Sequence, residues 1–181
     1  FAQHLKMNYE HGLIRNHYVG RTFIEPSQKI RSLGVKLKLN ANKSTIKNKK
    51  IILIDDSLVR GTTSHKIVKM LYDAGAKEVH VKIACPEIKY PDFYGVDMPT
   101  KEELLAHKKT NDEMCEYIKA TSLKFLSLSG LYEALGKGKR NENFPQFSDH
   151  YFTGDYPIKP LDNFSQSKVT QLSLLSSKSN N

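Results

Sequence analysis

Two adjacent carboxylates, Asp55 and Asp56, are followed at once by Ser57-Leu58-Val59-Arg60-Gly61-Thr62-Thr63-Ser64. Paired acids at one point of the backbone are acceptors for sugar hydroxyls or for a Mg2+ ion that a ligand brings with it. Gly61 has no Cβ and tolerates φ > 0, so the chain there can approach an anion closely. The hydroxyls of Thr62, Thr63 and Ser64 can donate to phosphate oxygens and can also cap a helix. These residue types in this order fit a sugar phosphate.

The elements that must hold them are readable on either side. Ile51-Ile52-Leu53-Ile54 is an unbroken apolar run, mostly β-branched, as in a buried parallel strand. The acids then fall at the strand's carboxyl end, where open α/β sheets bind ligands. Beyond the turn, Ile67, Val68, Leu71 and Ala74 recur at the spacing of one helical face, and Gly75 stops the helix. The first turn of that helix has free N–H groups and a partial positive charge suited to phosphate. Val79 to Ala84 reads as a second strand, with His80 as a solvated residue on it. Strand, loop, helix and strand form a βαβ unit with a right-handed crossover, so the fold class is α/β with a parallel sheet.

Longer motifs carry a resemblance. The loop Val59 to Ser64 resembles the phosphoribosyl-pyrophosphate (PRPP) loop of type I phosphoribosyltransferases. Together with Arg15-Asn16-His17-Tyr18-Val19-Gly20-Arg21-Thr22-Phe23-Ile24, Lys36-Leu37-Lys38-Leu39-Asn40-Ala41-Asn42 and Phe93-Tyr94-Gly95-Val96-Asp97-Met98-Pro99, it resembles the amidophosphoribosyltransferase family. The likeness runs from about Gly12 to Pro157. It implies a type I phosphoribosyltransferase fold, incomplete at its N-terminus. The domain would span residues 1–160, with a flexible flap at about 13–42.

The implied reaction is phosphoribosyl transfer from PRPP to ammonia, giving 5-phosphoribosylamine, the first step of purine nucleotide synthesis. By the resemblance, Asp55 and Asp56 hold the ribose hydroxyls and Mg2+, Arg60 to Ser64 hold the 5-phosphate mainly through backbone amides and hydroxyls, and Ser57 is a further PRPP-binding residue. Arg15, Asn16, Tyr18, Arg21 and Thr22 belong to the flap that closes over PRPP, and Lys38 marks the flap's end. Tyr18 and Arg21 are the flap's catalytic candidates, beside Asp55 and Asp56. Implied partners are PRPP, purine nucleotides and further copies of the chain. A glutaminase domain would lie on another segment or a separate chain, because no such half precedes the flap here, nor a Pro-Asp-Ser-Gly-like pyrophosphate loop. Cluster-bearing members place cysteines near Phe93 and in the C-terminal segment. Here those places read Asp92 and Phe144 to Tyr151, so no iron–sulfur cluster is expected. A salvage phosphoribosyltransferase shares the loop but not the flap motif. A non-catalytic PRPP- or nucleotide-binding fragment is the other alternative.

The totals agree with this picture. The chain has 181 residues, enough for one domain with a sizeable core, and is 39% hydrophobic. It shows no apolar run of membrane length and no signal peptide, so a cytoplasmic protein without membrane partners is expected. Cys85 and Cys115, far apart, suit a reducing compartment and small buried hydrophobes. The net charge of +9 favours anionic partners. From Pro26 to Ile54 there is no acid, and Arg31, Lys36 and Lys38 there read as ligand contacts. Lys43, Lys47, Lys49 and Lys50 read as solvated charge, so phosphorylated metabolites are expected ahead of nucleic acid.

The remaining segments are plainer. Residues 1–11 have the apolar pattern of a helix end, and 13–24 that of a strand leading into an arm. Ser27 to Lys38 can begin as a short helix. Thr100 and Glu103, and again Thr110 and Glu113, have capping-box spacing, predicting helices to about Lys108 and Lys119. Leu123 to Leu128 reads as a strand, Ser129 to Gly136 as a helix, and Lys137 to Arg140 as a basic turn. His150 reads as a surface-loop histidine, and 161–181 as a disordered polar tail.

Overall fold

The computed structural model describes residues 1–16, 39–95 and 100–158. Three strands form a parallel sheet in the order β3 (Lys50–Asp55), β4 (Glu78–Ile83), β5 (Ser122–Phe125). The register sets Leu53 beside Val81 and Val81 beside Leu123. Alternation in β4 sends Val79, Val81 and Ile83 to one face, at 0%, 0% and 3% exposure, and His80 and Lys82 to the other.

Two helices cover the apolar face. Helix α2 (Thr62–Asp73) buries Ile67, Val68 and Leu71, and α4 (Asn111–Ile118) buries Met114 and Ile118 one turn apart. Each fully buried aliphatic side chain contributes about 1.5–3 kcal/mol. Truncating Met114 or Leu71 to alanine would cost about 2–5 kcal/mol. Gly75, at φ +96°, ends α2, with its N–H donating to the Tyr72 carbonyl and Ala76 N–H to that of Leu71. This is the left-handed cap expected of that glycine.

The second capping box forms as its spacing predicts. Glu113 N–H donates to Thr110 Oγ1, and Thr110 N–H donates to the Glu113 carboxylate at 2.7 Å. The first does not. Residues Lys101–Glu103 make a 3₁₀ turn, Leu104 is extended, and α3 spans only Leu105–Lys108. Leu104, wholly buried, pulls the backbone out of helix, and the Glu103 carboxylate is engaged elsewhere. Strand β5 ends at Phe125, before Leu128, because Ser127 caps α5 (Leu128–Ala134) by accepting from Gly130 N–H.

Near the N-terminus, β1 (Leu13–Arg15) and β2 (Leu39–Ala41) pair antiparallel, and Asn42 N–H donates to the Gly12 carbonyl. These are the two ends of the arm expected at 13–42. A short helix α1 (Lys43–Ile46) follows and buries Ile46. Residues 1–7 carry the bonds of a helix's last turn, with Met7 N–H donating to Ala2 and Lys6 N–H to Gln3, and Lys6 left-handed at φ 51°. The helix expected within 27–38 and the tail at 161–181 lie outside the described residues.

One reading of the C-terminal segment needs correction, and one gains detail. Arg140, at the end of the basic stretch, has a side chain 9% exposed that holds Asp149, Asp155 and Glu142. His150 is no surface-loop histidine: it sits in α6 (His150–Thr153) at 1% exposure. Its Nε2 meets Asp92 Oδ1 at 2.8 Å and its Nδ1 meets Ser148 Oγ at 3.1 Å. A buried imidazole needs such partners, and here a residue 58 positions away supplies one. With Tyr156 donating to the Pro91 carbonyl, these bonds strap residues 148–156 across the loop after β4.

Candidate functional site

The site begins where β3 ends. Asp55 closes the strand and is half-buried, whereas Asp56 is exposed. Asp56 N–H donates to Asp55 Oδ1 at 3.1 Å, and Ser57 Oγ donates to Asp56 Oδ1 at 2.9 Å. Burial pushes the Asp55 carboxyl above the ordinary aspartate range, the Asp56 N–H opposes this, and the Asp56 charge adds to it. A carboxylate penalised in this way gains from a cation or from sugar hydroxyls.

Cys85, at the end of the neighbouring strand, feels the same pair. Its half-buried thiol is pushed up to about 11, first by burial and then by the Asp56 charge. It stays a thiol at neutral pH and donates to the Pro86 carbonyl.

The turn into α2 is built around Gly61, the helix N-cap, at φ 71° and ψ −8°. Thr62, Thr63 and Ser64 do not cap the helix as their residue types predict. Among the described residues no side chain bonds the first-turn N–H groups, and the cap residue has no side chain to do so. Those donors and the helix's positive end remain for an anion. Thr62 and Thr63 are exposed, so their hydroxyls face the same solvent, while Ser64 is 4% exposed.

The Arg60 guanidinium turns to an acid from another segment: its Nη2 donates to Glu103 Oε2 at 2.9 Å. The segment carrying Glu103 touches the loop on both sides of Arg60 as well. Leu105 N–H donates to the Val59 carbonyl at 2.9 Å, and a Cβ on Gly61 would lie 2.7 Å from Leu105 Cδ2 and 3.0 Å from Tyr117 Cε1. Glu103, Leu105 and Tyr117 were not legible as site residues. Glu103 was masked by its capping-box spacing, and the other two carry no chemical signal.

The structure thus brings Asp55, Asp56, Ser57 and Arg60 to Ser64 together at the carboxyl edge of the sheet. Arg15 is exposed in β1, and Asn16 follows it half-buried. Tyr18, Arg21 and Lys38 lie outside the described residues. Among the described residues, no group of three or more His, Cys, Asp and Glu side chains is placed to hold a metal ion. Also among them, no helix is long and apolar enough to cross a membrane.

A parallel α/β sheet that delivers two acids and a glycine-opened helix start is the architecture of a phosphoribosyltransferase domain. Comparison with known proteins narrows this. No family model matches. The chain is similar to amidophosphoribosyltransferase of Rhizobium etli, at 55% identity over 98% of this chain and 36% of the relative. It is also similar to amidophosphoribosyltransferase 1, chloroplastic, of Arabidopsis thaliana, at 51% identity over 85% of this chain and 26% of the relative. Among solved structures it is similar to the glutamine PRPP amidotransferase of B. subtilis complexed with ADP and GMP. That match has a TM-score of 0.76 and 46% identity, over 90% of this chain and 35% of the other. At this identity over nearly all of its length, the chain is similar to amidophosphoribosyltransferases and matches their phosphoribosyltransferase part. It spans about a third of the length of those relatives.

Proposed function

We propose that this chain forms the PRPP-handling part of an enzyme that transfers the phosphoribosyl group to ammonia, opening purine nucleotide synthesis. The observation that carries this is the uncapped α2 start at Gly61, set directly after two acids at the end of β3. The reaction breaks the bond from the anomeric carbon to pyrophosphate and forms one to nitrogen. It asks for fixed geometry and charge complementarity more than for proton transfer.

In this reading the first-turn N–H groups of α2 and the hydroxyls of Thr62, Thr63 and Ser64 hold the 5-phosphate. Asp55 and Asp56 accept from the ribose hydroxyls and so orient the anomeric carbon. Arg15, Asn16, Tyr18, Arg21 and Lys38 belong to the arm that would close over the ligand and exclude water. Two adjacent carboxylates, with no third protein ligand nearby among the described residues, fit Mg2+ better than a caged metal. Mg2+ takes one or two carboxylates and completes its shell with water and substrate phosphates. Bound there through Asp55 and Asp56, it would neutralise pyrophosphate charge.

Purine nucleotides share the 5-phosphate and ribose, so they are proposed as ligands of the same loop. The B. subtilis relative is complexed with ADP and GMP. Partner copies, a glutaminase domain supplying ammonia, and a cytoplasmic setting belong to the same reading.

The test is calorimetric titration of the chain with PRPP, with and without Mg2+, beside an Asp55→Asn, Asp56→Asn variant. Saturable binding that needs Mg2+ and disappears in the variant supports the reading. Mg2+-independent binding that survives in the variant overturns it. Tight binding of an RNA or DNA oligonucleotide that collapses steeply with salt would point instead to nucleic acid.

A further inference from the structure

We propose that Glu103 is a positioning residue for the phosphate loop, acting through Arg60. Three consecutive loop residues are each met by the short segment Glu103–Leu105. The Val59 carbonyl accepts from Leu105 N–H, the Arg60 guanidinium donates to Glu103 Oε2, and Gly61 lies against Leu105 Cδ2. Buried Leu58 anchors the loop's middle, but beyond it Gly61 is the least restricted residue type and the helix start has no side-chain cap, so little in the loop's own sequence fixes the turn from Val59 to Gly61. The clamp therefore comes from outside the loop.

Its parts differ in character. The backbone bond and the Leu105 contact are built into the packing, with Leu104 and Leu105 at 0% and 8% exposure. The ion pair is not: Arg60 and Glu103 are 46% and 51% exposed. It is the replaceable part, and it decides where the Arg60 side chain goes. Arg60 is thereby directed to Glu103, and the loop's anion-binding donors are left to the backbone N–H groups and hydroxyls. On the reading of this loop as a 5-phosphate site, Glu103 sets ligand affinity without needing to touch the ligand.

The test is hydrogen exchange of the full chain, read at the two amides whose hydrogen bonds hold the loop, Leu105 N–H on the Val59 carbonyl and His65 N–H on the Gly61 carbonyl. An exposed ion pair shifts a local opening equilibrium by at most roughly fivefold. Glu103→Gln keeps the side-chain shape and removes the charge. It is expected to speed loop exchange, at the Leu105 and His65 amides, by about threefold to fivefold, leaving β3 and β4 amides and the thermal midpoint unchanged. The charge-swapped Arg60→Glu, Glu103→Arg protein should bring loop exchange back toward wild type.

Unchanged loop exchange in Glu103→Gln overturns the proposal. So does acceleration spread evenly through β4, which marks a merely structural role, or failure of the swapped pair to restore the loop. Ribose 5-phosphate titration is the second readout, with Glu103→Gln weakening binding by the same factor. If wild type binds no ribose 5-phosphate, the functional reading fails, while the exchange data still decide whether Glu103 positions the loop.

Discussion

Gly61→Ala separates two costs that the geometry makes distinguishable. Gly61 holds φ +71°, and an alanine there pays about 1–2 kcal/mol for left-handed backbone. The added methyl also lands 2.7 Å from Leu105 Cδ2 and 3.0 Å from the Tyr117 ring, in a spot where Leu105 is 8% exposed and has little room to move. Overpacking of this kind costs about 1–3 kcal/mol more. Gly136 is the internal control, with nearly the same φ of +72° and nothing within 4 Å of its would-be Cβ. Gly136→Ala should therefore cost about 1–2 kcal/mol and Gly61→Ala about 2–5 kcal/mol. At about 2–4 °C per kcal/mol for a chain of this size, the midpoints fall by roughly 2–8 °C and 4–20 °C. Thermal and urea unfolding followed by circular dichroism would measure both. Leu105→Ala should make Gly61→Ala cheaper than it is in the wild-type background, because it removes the opposing Cδ2. Equal costs at the two glycines, without coupling to Leu105, would refute the claim that Leu105 and Tyr117 press on the loop.

Three further outcomes follow from the charges. Because burial raises the Asp55 carboxyl, its ionised form is penalised in the folded chain, so Asp55→Asn should leave neutral-pH stability unchanged or higher while ending Mg2+-dependent PRPP binding. The same shift means binding fades as pH falls while still above the ordinary aspartate value of about 3.9, and titrations showing full affinity down to that value would contradict it. Asp149 behaves oppositely. Its burial favours the neutral form, but bonds from Arg140 and Tyr132 outweigh that and hold it below the usual range. Its stabilisation is therefore present above about pH 3.9 and lost as pH falls through the lower folded value, which tyrosine emission on acid titration reads as release of the 140–156 segment. For Cys85, a thiol at about 11 rather than 9.0 has roughly 100-fold less thiolate at neutral pH, so iodoacetamide should label it far more slowly than free cysteine.

What the sequence made legible is what adjacent residues settle among themselves. The apolar run of β3, the 3.6-residue period of α2, the stop at Gly75 and the Thr110 box are local patterns, and each element forms. But β3 is not the buried strand expected: Ile51 to Leu53 are half-buried and Ile54 is 48% exposed, because β3 lies at the edge of the described three-stranded sheet. The acids and the glycine turn were readable for the same reason, since one strand end carries them all. Long-range pairing was not. Arg60 and Glu103 are 43 residues apart, and Glu103 sits at a spacing that equally suits a cap. Asp92 and His150 are 58 apart, and Arg140 draws three carboxylates from further along the chain. A lone histidine or a basic turn looks solvated until the fold brings an acid to it, and burial then makes the pairing compulsory.

A phosphate site at the start of α2 can be read directly by amide chemical-shift mapping of the isotope-labelled chain with ribose 5-phosphate. The largest shifts should fall on the amides of Gly61 to Ser64, with Asp55 and Asp56 next. Shifts confined to the lysine-rich stretch at Lys43 to Lys50, or shifts spread without focus over the basic surface, would contradict it.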